Sequence, residues 1–170
     1  MEARTRVLVV GAGPVGLLTA LQLKRSGVDV MLVDQNEPSG ARSFAVVLHP
    51  RTVAMLAGLG LVEPLRWQGQ SFRHVAVFTD SQRRALLKLP VDGEDADGAL
   101  TLPQNVLRTA LEHALRALGV EVEYGRKLIA FEQGTEEVRT QLSSADSYDL
   151  HVVSDFLVGA DGYESTVREA

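Results

Sequence analysis

Apolar residues fall along the chain in three patterns, and each predicts a different element. Unbroken apolar runs stand at Val7-Leu8-Val9-Val10 and within Val28-Asp29-Val30-Met31-Leu32-Val33, the signature of strands buried on both faces of a parallel sheet. A second pattern has helical spacing: Leu107, Leu111, Ala114, Leu115 and Leu118 recur on one face from about Gln104 until Gly119 stops the run. Pro50 opens another helix, with Val53, Met55 and Leu56 on its apolar side and Gly58 and Gly60 ending it. The third pattern is short and extended. Val75 to Phe78 and Ala85 to Leu89, joined across Asp80 to Arg84, read as a β-hairpin. Further on, Val120 to Tyr124, Leu128 to Phe131, Val138 to Leu142 and Leu150 to Val153, with turn residues at Gly134-Thr135 and Ser143-Ser144, read as an antiparallel meander. Asp155 to Val158 forms one more apolar strand before Gly159. The sum is an α/β fold with a parallel sheet and an inserted β-meander.

Between the first two buried strands lies Gly11-Ala12-Gly13-Pro14-Val15-Gly16, a glycine turn opening a helix. Gly11 lets the chain leave the strand sharply, Gly13 has no side chain to hold a diphosphate off the backbone, and Gly16 lets helix and strand approach. Pro14 lacks only an amide hydrogen that a helix start leaves free. The amides of the first turn, Val15 included, then form an anion site aided by the helix dipole. The second strand ends at Asp34, followed by Gln35. An acid about 20 residues beyond the glycines bonds the ribose hydroxyls of an adenosine half and disfavours a 2′-phosphate, so NAD or FAD is expected rather than NADP.

Charge and composition narrow the partners. Seventeen basic against 22 acidic residues give a net charge of −5 with no basic block, which argues against nucleic acid. The chain has no cysteine, so disulfides and thiolate metal sites are excluded and a reducing cytoplasm is compatible. No apolar run approaches the ~18 residues of a membrane span. Neither a catalytic nucleophile nor a metal-ligand cluster stands out.

Several residues admit a plain and a functional reading. Arg42 is either a phosphate contact or a solvated loop residue. His49, Arg51 and His113 read as surface polar residues, and the acidic stretch from Val91 to Gly98 as a solvated loop rather than a calcium site.

Three groups of residues together resemble the FAD-dependent aromatic-ring hydroxylases, the single-component flavoprotein monooxygenases that include p-hydroxybenzoate, phenol and polyketide hydroxylases. They are Gly11 to Gly16 with Asp34; Arg42 to Leu61, including Leu48-His49-Pro50-Arg51-Thr52; and Leu157 to Gly162 followed by Ser165 to Arg168. The resemblance implies a Rossmann-like FAD-binding domain of the three-layer, glutathione-reductase-like kind, with the first strands of a substrate-domain sheet. It implies that Asp161 and Gly162 touch FAD and help place a nicotinamide donor, and that Gln104 faces the flavin side. Phe44 stands where many members of the family have an arginine, a task that passes to Arg42 or is lost. The chemistry implied is the cofactor's: NAD(P)H reduces FAD, oxygen adds to give a flavin hydroperoxide, and an aromatic or polyketide substrate is hydroxylated.

The expected organisation is a FAD-binding βαβ unit and helix over 1–71, a hairpin of a partial substrate domain over 72–100, and a return to the FAD-binding domain over 101–170. The family continues well past this length, so the chain reads as the first part of a hydroxylase, completed by a C-terminal part or a neighbouring copy. Two other classes of function fit the glycine turn. One is another FAD or NAD oxidoreductase, and the other a non-catalytic nucleotide-binding module.

Overall fold

A computed structural model describes residues 2–37, 45–89, 98–144 and 149–169. Arg42, Phe44 and the acidic stretch lie outside them, except Gly98. In chain order the elements are β1 (Glu2–Val10), α1 (Pro14–Arg25), β2 (Val30–Val33), β3 (Ala45–Leu48), α2 (Pro50–Gly58), α3 (Val62–Arg66), β4 (Gln70–Phe72), β5 (His74–Thr79), β6 (Gln82–Lys88), β7 (Ala99–Pro103), α4 (Gln104–Ala117), β8 (Val122–Glu123), β9 (Arg126–Gln133), β10 (Val138–Ser144), β11 (Leu150–Gly159) and α5 (Thr166–Glu169). They fall into two compact units, residues 1–41 with 111–170, and residues 42–110. The expectation from sequence divides the chain at 71 and 100 instead.

The first unit is built on a six-stranded sheet in the order β8-β2-β1-β11-β10-β9. β1 runs parallel to both β2 and β11, and its apolar run is buried on both faces: Val7 and Val9 on one, Leu8 and Val10 on the other. Leu8 and Val10 share a core with Val33, Leu128, Leu142, Leu150 and Val152. α1 turns Leu17, Ala20 and Leu21 into the interior and ends in a left-handed Gly27.

Two details differ from the sequence expectation. The run around Val122 joins the parallel part of the sheet beside β2 rather than the meander, because a two-residue strand has room only to extend an existing edge. The runs 150–153 and 155–158 are a single strand, β11, since Ser154 between them continues the extended backbone and is buried. β11 pairs with β1 from His151 to Gly159, whereas β10 covers it only from Leu150 to Ser154. Among the described residues, no strand pairs with the second edge of Asp155 to Gly159.

The second unit holds a three-stranded antiparallel sheet, β3-β7-β4, and the hairpin β5-β6 as a separate two-stranded sheet. The hairpin turns through Asp80 and Ser81, both at positive φ. α2 starts at Pro50 as expected, and His49 caps it, its Nδ1 accepting from the Arg51 N–H at 3.3 Å.

Candidate functional site

The C-terminal ends of β1, β2 and β11 carry three turns laced together by backbone hydrogen bonds. The Gly11 N–H donates to the Val33 carbonyl at 2.8 Å, and the Ala160 N–H to the Val10 carbonyl at 2.7 Å. Gly11 sits at φ +105°, and a Cβ there would stand 2.4 Å from the Ala160 carbonyl oxygen. A Cβ on Gly16 would come within 1.8 Å of the Gly11 oxygen, so this glycine is required by the packing of helix against turn. Gly13 is different. Nothing lies within 4 Å of its hypothetical Cβ, and it is the N-cap of α1, with no side chain capping the helix and no acidic residue in the first turn. The helix therefore offers uncompensated amides and a positive end beside open space.

Asp34 is held from two sides. Its Oδ2 accepts from the Ala12 N–H at 2.7 Å, and its Oδ1 from the Asn36 N–H at 2.8 Å and the Asn36 side chain at 3.3 Å. Its peptide is gripped as well: the Asp34 N–H donates to the Glu123 carbonyl at 3.0 Å and its own carbonyl accepts from the Arg126 N–H at 2.9 Å. A carboxylate has about four acceptor positions, so these bonds orient it and leave capacity for a ligand hydroxyl.

Asp161 braces the third turn. Its Oδ1 accepts from the Ser165 hydroxyl at 2.6 Å and its Oδ2 from the Val167 N–H at 3.0 Å, while the Arg168 N–H donates to Ser165 Oγ at 3.1 Å. Burial pushes its pKa up, but the Ser165 hydroxyl and the amides of Val167 and Thr166 outweigh that, and the net shift is below the ordinary value. Gly162 follows at φ +85° with open space around its Cβ position, so backbone conformation rather than crowding is what requires glycine there.

These turns border one cavity of about 190 Å³. Of the residues expected from sequence, Gly11, Gly13, Asp34, Gln35, Asp161 and Gly162 line it. Pro14, Val15 and Gly16 do not; they build the helix start, where Val15 is exposed and Gly16 buried. Gln104 opens α4 within the 42–110 unit. The sequence reading missed Arg126, Leu128 and Glu164, which also line the cavity. The one signal for Arg126 was the preceding Tyr124-Gly125 turn. A larger hollow of about 760 Å³, lined by Arg4, Arg6, Phe131, Asp155 and Phe156 among others, contains none of the expected site residues. Among the described residues no group of three His, Asp or Glu side chains is placed to hold a metal ion.

A bare glycine face, an uncapped helix start and a fixed acid at the end of the neighbouring strand suit a diphosphate joined to a ribose. They define a dinucleotide-binding domain of the Rossmann type. The chain belongs to the FAD binding domain family, whose model matches residues 4–170. It is 33% identical over 165 residues to a rifampicin monooxygenase of Rhodococcus hoagii, an alignment covering 96% of this chain and 33% of the relative. Among solved structures it resembles the OxyS anhydrotetracycline hydroxylase of Streptomyces rimosus, with a TM-score of 0.86, 29% identity, and coverage of 98% of this chain and 33% of that one. It also resembles the flavin-dependent monooxygenase PieE in complex with FAD and substrate, at a TM-score of 0.82 and 26% identity, covering 98% and 31%. The chain thus spans about a third of the length of these proteins.

Proposed function

We propose that the chain is the FAD-binding portion of a NAD(P)H- and oxygen-dependent monooxygenase that hydroxylates an aromatic or polyketide substrate. The observation that carries this is the convergence of Gly13, Asp34 and the Asp161-Gly162 turn on one cavity at the carboxyl ends of parallel strands. The names of the relatives support the substrate class. In this reading the amides of Gly13 and the first turn of α1 take the pyrophosphate, and Asp34 accepts from the adenosine ribose. The carboxylate of Asp161 holds its own turn closed, so that the Asp161-Gly162 backbone meets the cofactor. Arg42 serves the phosphates, and Gln104 the flavin side. FAD, when bound, accepts a hydride and activates oxygen; the protein orients the cofactor and keeps water from it. The lack of cysteine accords with a reducing cytoplasm.

The test is spectroscopic titration of the 170-residue chain with FAD, followed by supply of NAD(P)H, oxygen and a panel of phenols and polyketide aromatics. One FAD per chain is expected, without hydroxylated product. Failure to bind FAD overturns the cofactor assignment. Product formed in step with NAD(P)H consumption overturns the view that this is only the cofactor-binding portion.

A further inference from the structure

Where the third turn becomes α5, the buried hydroxyl of Ser165 meets two partners. Its Oγ accepts from the Arg168 N–H at 3.1 Å, and its O–H donates to Asp161 Oδ1 at 2.6 Å. An amide can only donate, so it takes an Oγ lone pair, and the hydroxyl proton turns to the carboxylate. Asp161 Oδ2 meets a donor as well, the Val167 N–H at 3.0 Å. Both carboxyl oxygens are thus held by donors, and a proton added to either weakens a bond that it accepts. Burial disfavours the charged carboxylate, and the Ser165 hydroxyl heads the hydrogen bonds that outweigh it.

We propose that Ser165 is a positioning residue for the cofactor: its hydroxyl holds Asp161 as an acceptor, and Asp161 in turn holds the Gly162 backbone toward the dinucleotide. The inference rests on the FAD reading above. Neither Ser165 nor Arg168 lines the cavity, whereas Asp161 and Gly162 do, so the hydroxyl reaches a ligand through Asp161. Gly162 needs such a hold. Nothing lies within 4 Å of its Cβ position, so the hydrogen bonds of the turn, rather than packing, keep its φ at +85°. The other ionisable groups around Asp161 are Glu164 and Arg168 on its own turn and helix, and Asp34 and Arg126 on the other walls of the cavity. The glycine turn from Gly11 to Gly16 brings none.

Titration with FAD across pH tests this on the parent, S165A, S165T and D161A, with urea unfolding as the control for folding. S165A is expected to bind FAD about tenfold more weakly at neutral pH. Its remaining affinity is expected to fail at a higher pH than the parent's, because Asp161 without that donor takes up a proton more readily. Asp34 and Glu164 are the same in both proteins, so the difference between the two profiles reports Asp161. S165T keeps a hydroxyl and is expected to follow the parent, and S165A added to D161A is expected to cost nothing further. A hydroxyl that merely caps α5 would give S165A the same loss at every pH, and a loss additive with that of D161A; either result overturns the proposal, as does parent-like binding in S165A. Should S165A not fold, S165G repeats the test, since it loses the hydroxyl and remains an acceptable N-cap. If the parent does not bind FAD, the cofactor reading itself fails, and the inference with it.

Discussion

The strand β1 and the hairpin β5-β6 are both apolar runs in sequence, yet they meet opposite fates. Leu8 and Val9 in β1 are fully buried, while Phe78 and Leu87 in the hairpin remain 61% and 54% exposed. The difference is neighbourhood. β1 has a parallel strand on each side and α1 packed against it, whereas β5 and β6 pair only with each other among the described residues. Burial of an apolar run follows from what its flanking segments supply, and a glycine turn that launches a helix back over the sheet supplies a great deal.

Substitutions can break that contrast, and the largest effect is expected at Gly16. Gly16→Ala forces a Cβ onto the Gly11 carbonyl, and a loss of at least about 3 kcal/mol in denaturant unfolding is expected. Next comes Leu8→Ala, which opens a void in a closed core at a cost of about 2–5 kcal/mol, read in the same experiment. Asp34→Ala should weaken FAD binding by roughly 1.5–3 kcal/mol through loss of a charge-assisted hydrogen bond; an unchanged titration would remove the ribose assignment.

Asp161 sharpens the contrast through pH. Because its folded pKa lies below its unfolded value, its carboxylate stabilises the fold above roughly pH 4, and that contribution is lost as pH falls through the lower folded value. Asp161→Asn is therefore expected to be less stable than the parent at neutral pH, with the gap closing in acid, as followed by urea midpoints across pH. The smallest effect belongs to the hairpin. Leu87→Ala should change the unfolding free energy by no more than about 0.5 kcal/mol, and a core-sized loss there would mean that the hairpin is covered.

What the sequence revealed was what is local. The run Val7 to Gly16 contains strand, turn and helix start within ten residues, and the Gly11 and Gly16 packing follows from the absence of side chains. Asp34 was legible because the element separating it from the glycines has a standard length. Arg126 was not, since its place beside Asp34 depends on β8 joining the sheet edge far along the chain, and two strand residues give no periodicity to read. The three-stranded sheet β3-β7-β4 escaped notice for a related reason. Its strands, three to five residues long and remote from one another in the chain, pair by tertiary context. Ser154 misled in another way: with Asp155 it makes a polar pair within an apolar stretch that looks like a break, and here Ser154 lies buried in mid-strand.

The uncovered half of β11 has a consequence for how the molecule behaves in solution. Among the described residues no strand pairs with that edge, which gives an extended peptide a place to add a ladder, and the Phe156 ring beside it is exposed. Against this stands Asp155, joined at 2.6 Å to Arg6 of the adjoining strand. Charged side chains at a strand margin disfavour edge-to-edge pairing because a neighbour would have to desolvate them, whereas an exposed ion pair contributes little to folding, so the Arg6–Asp155 pair bears more on association than on stability.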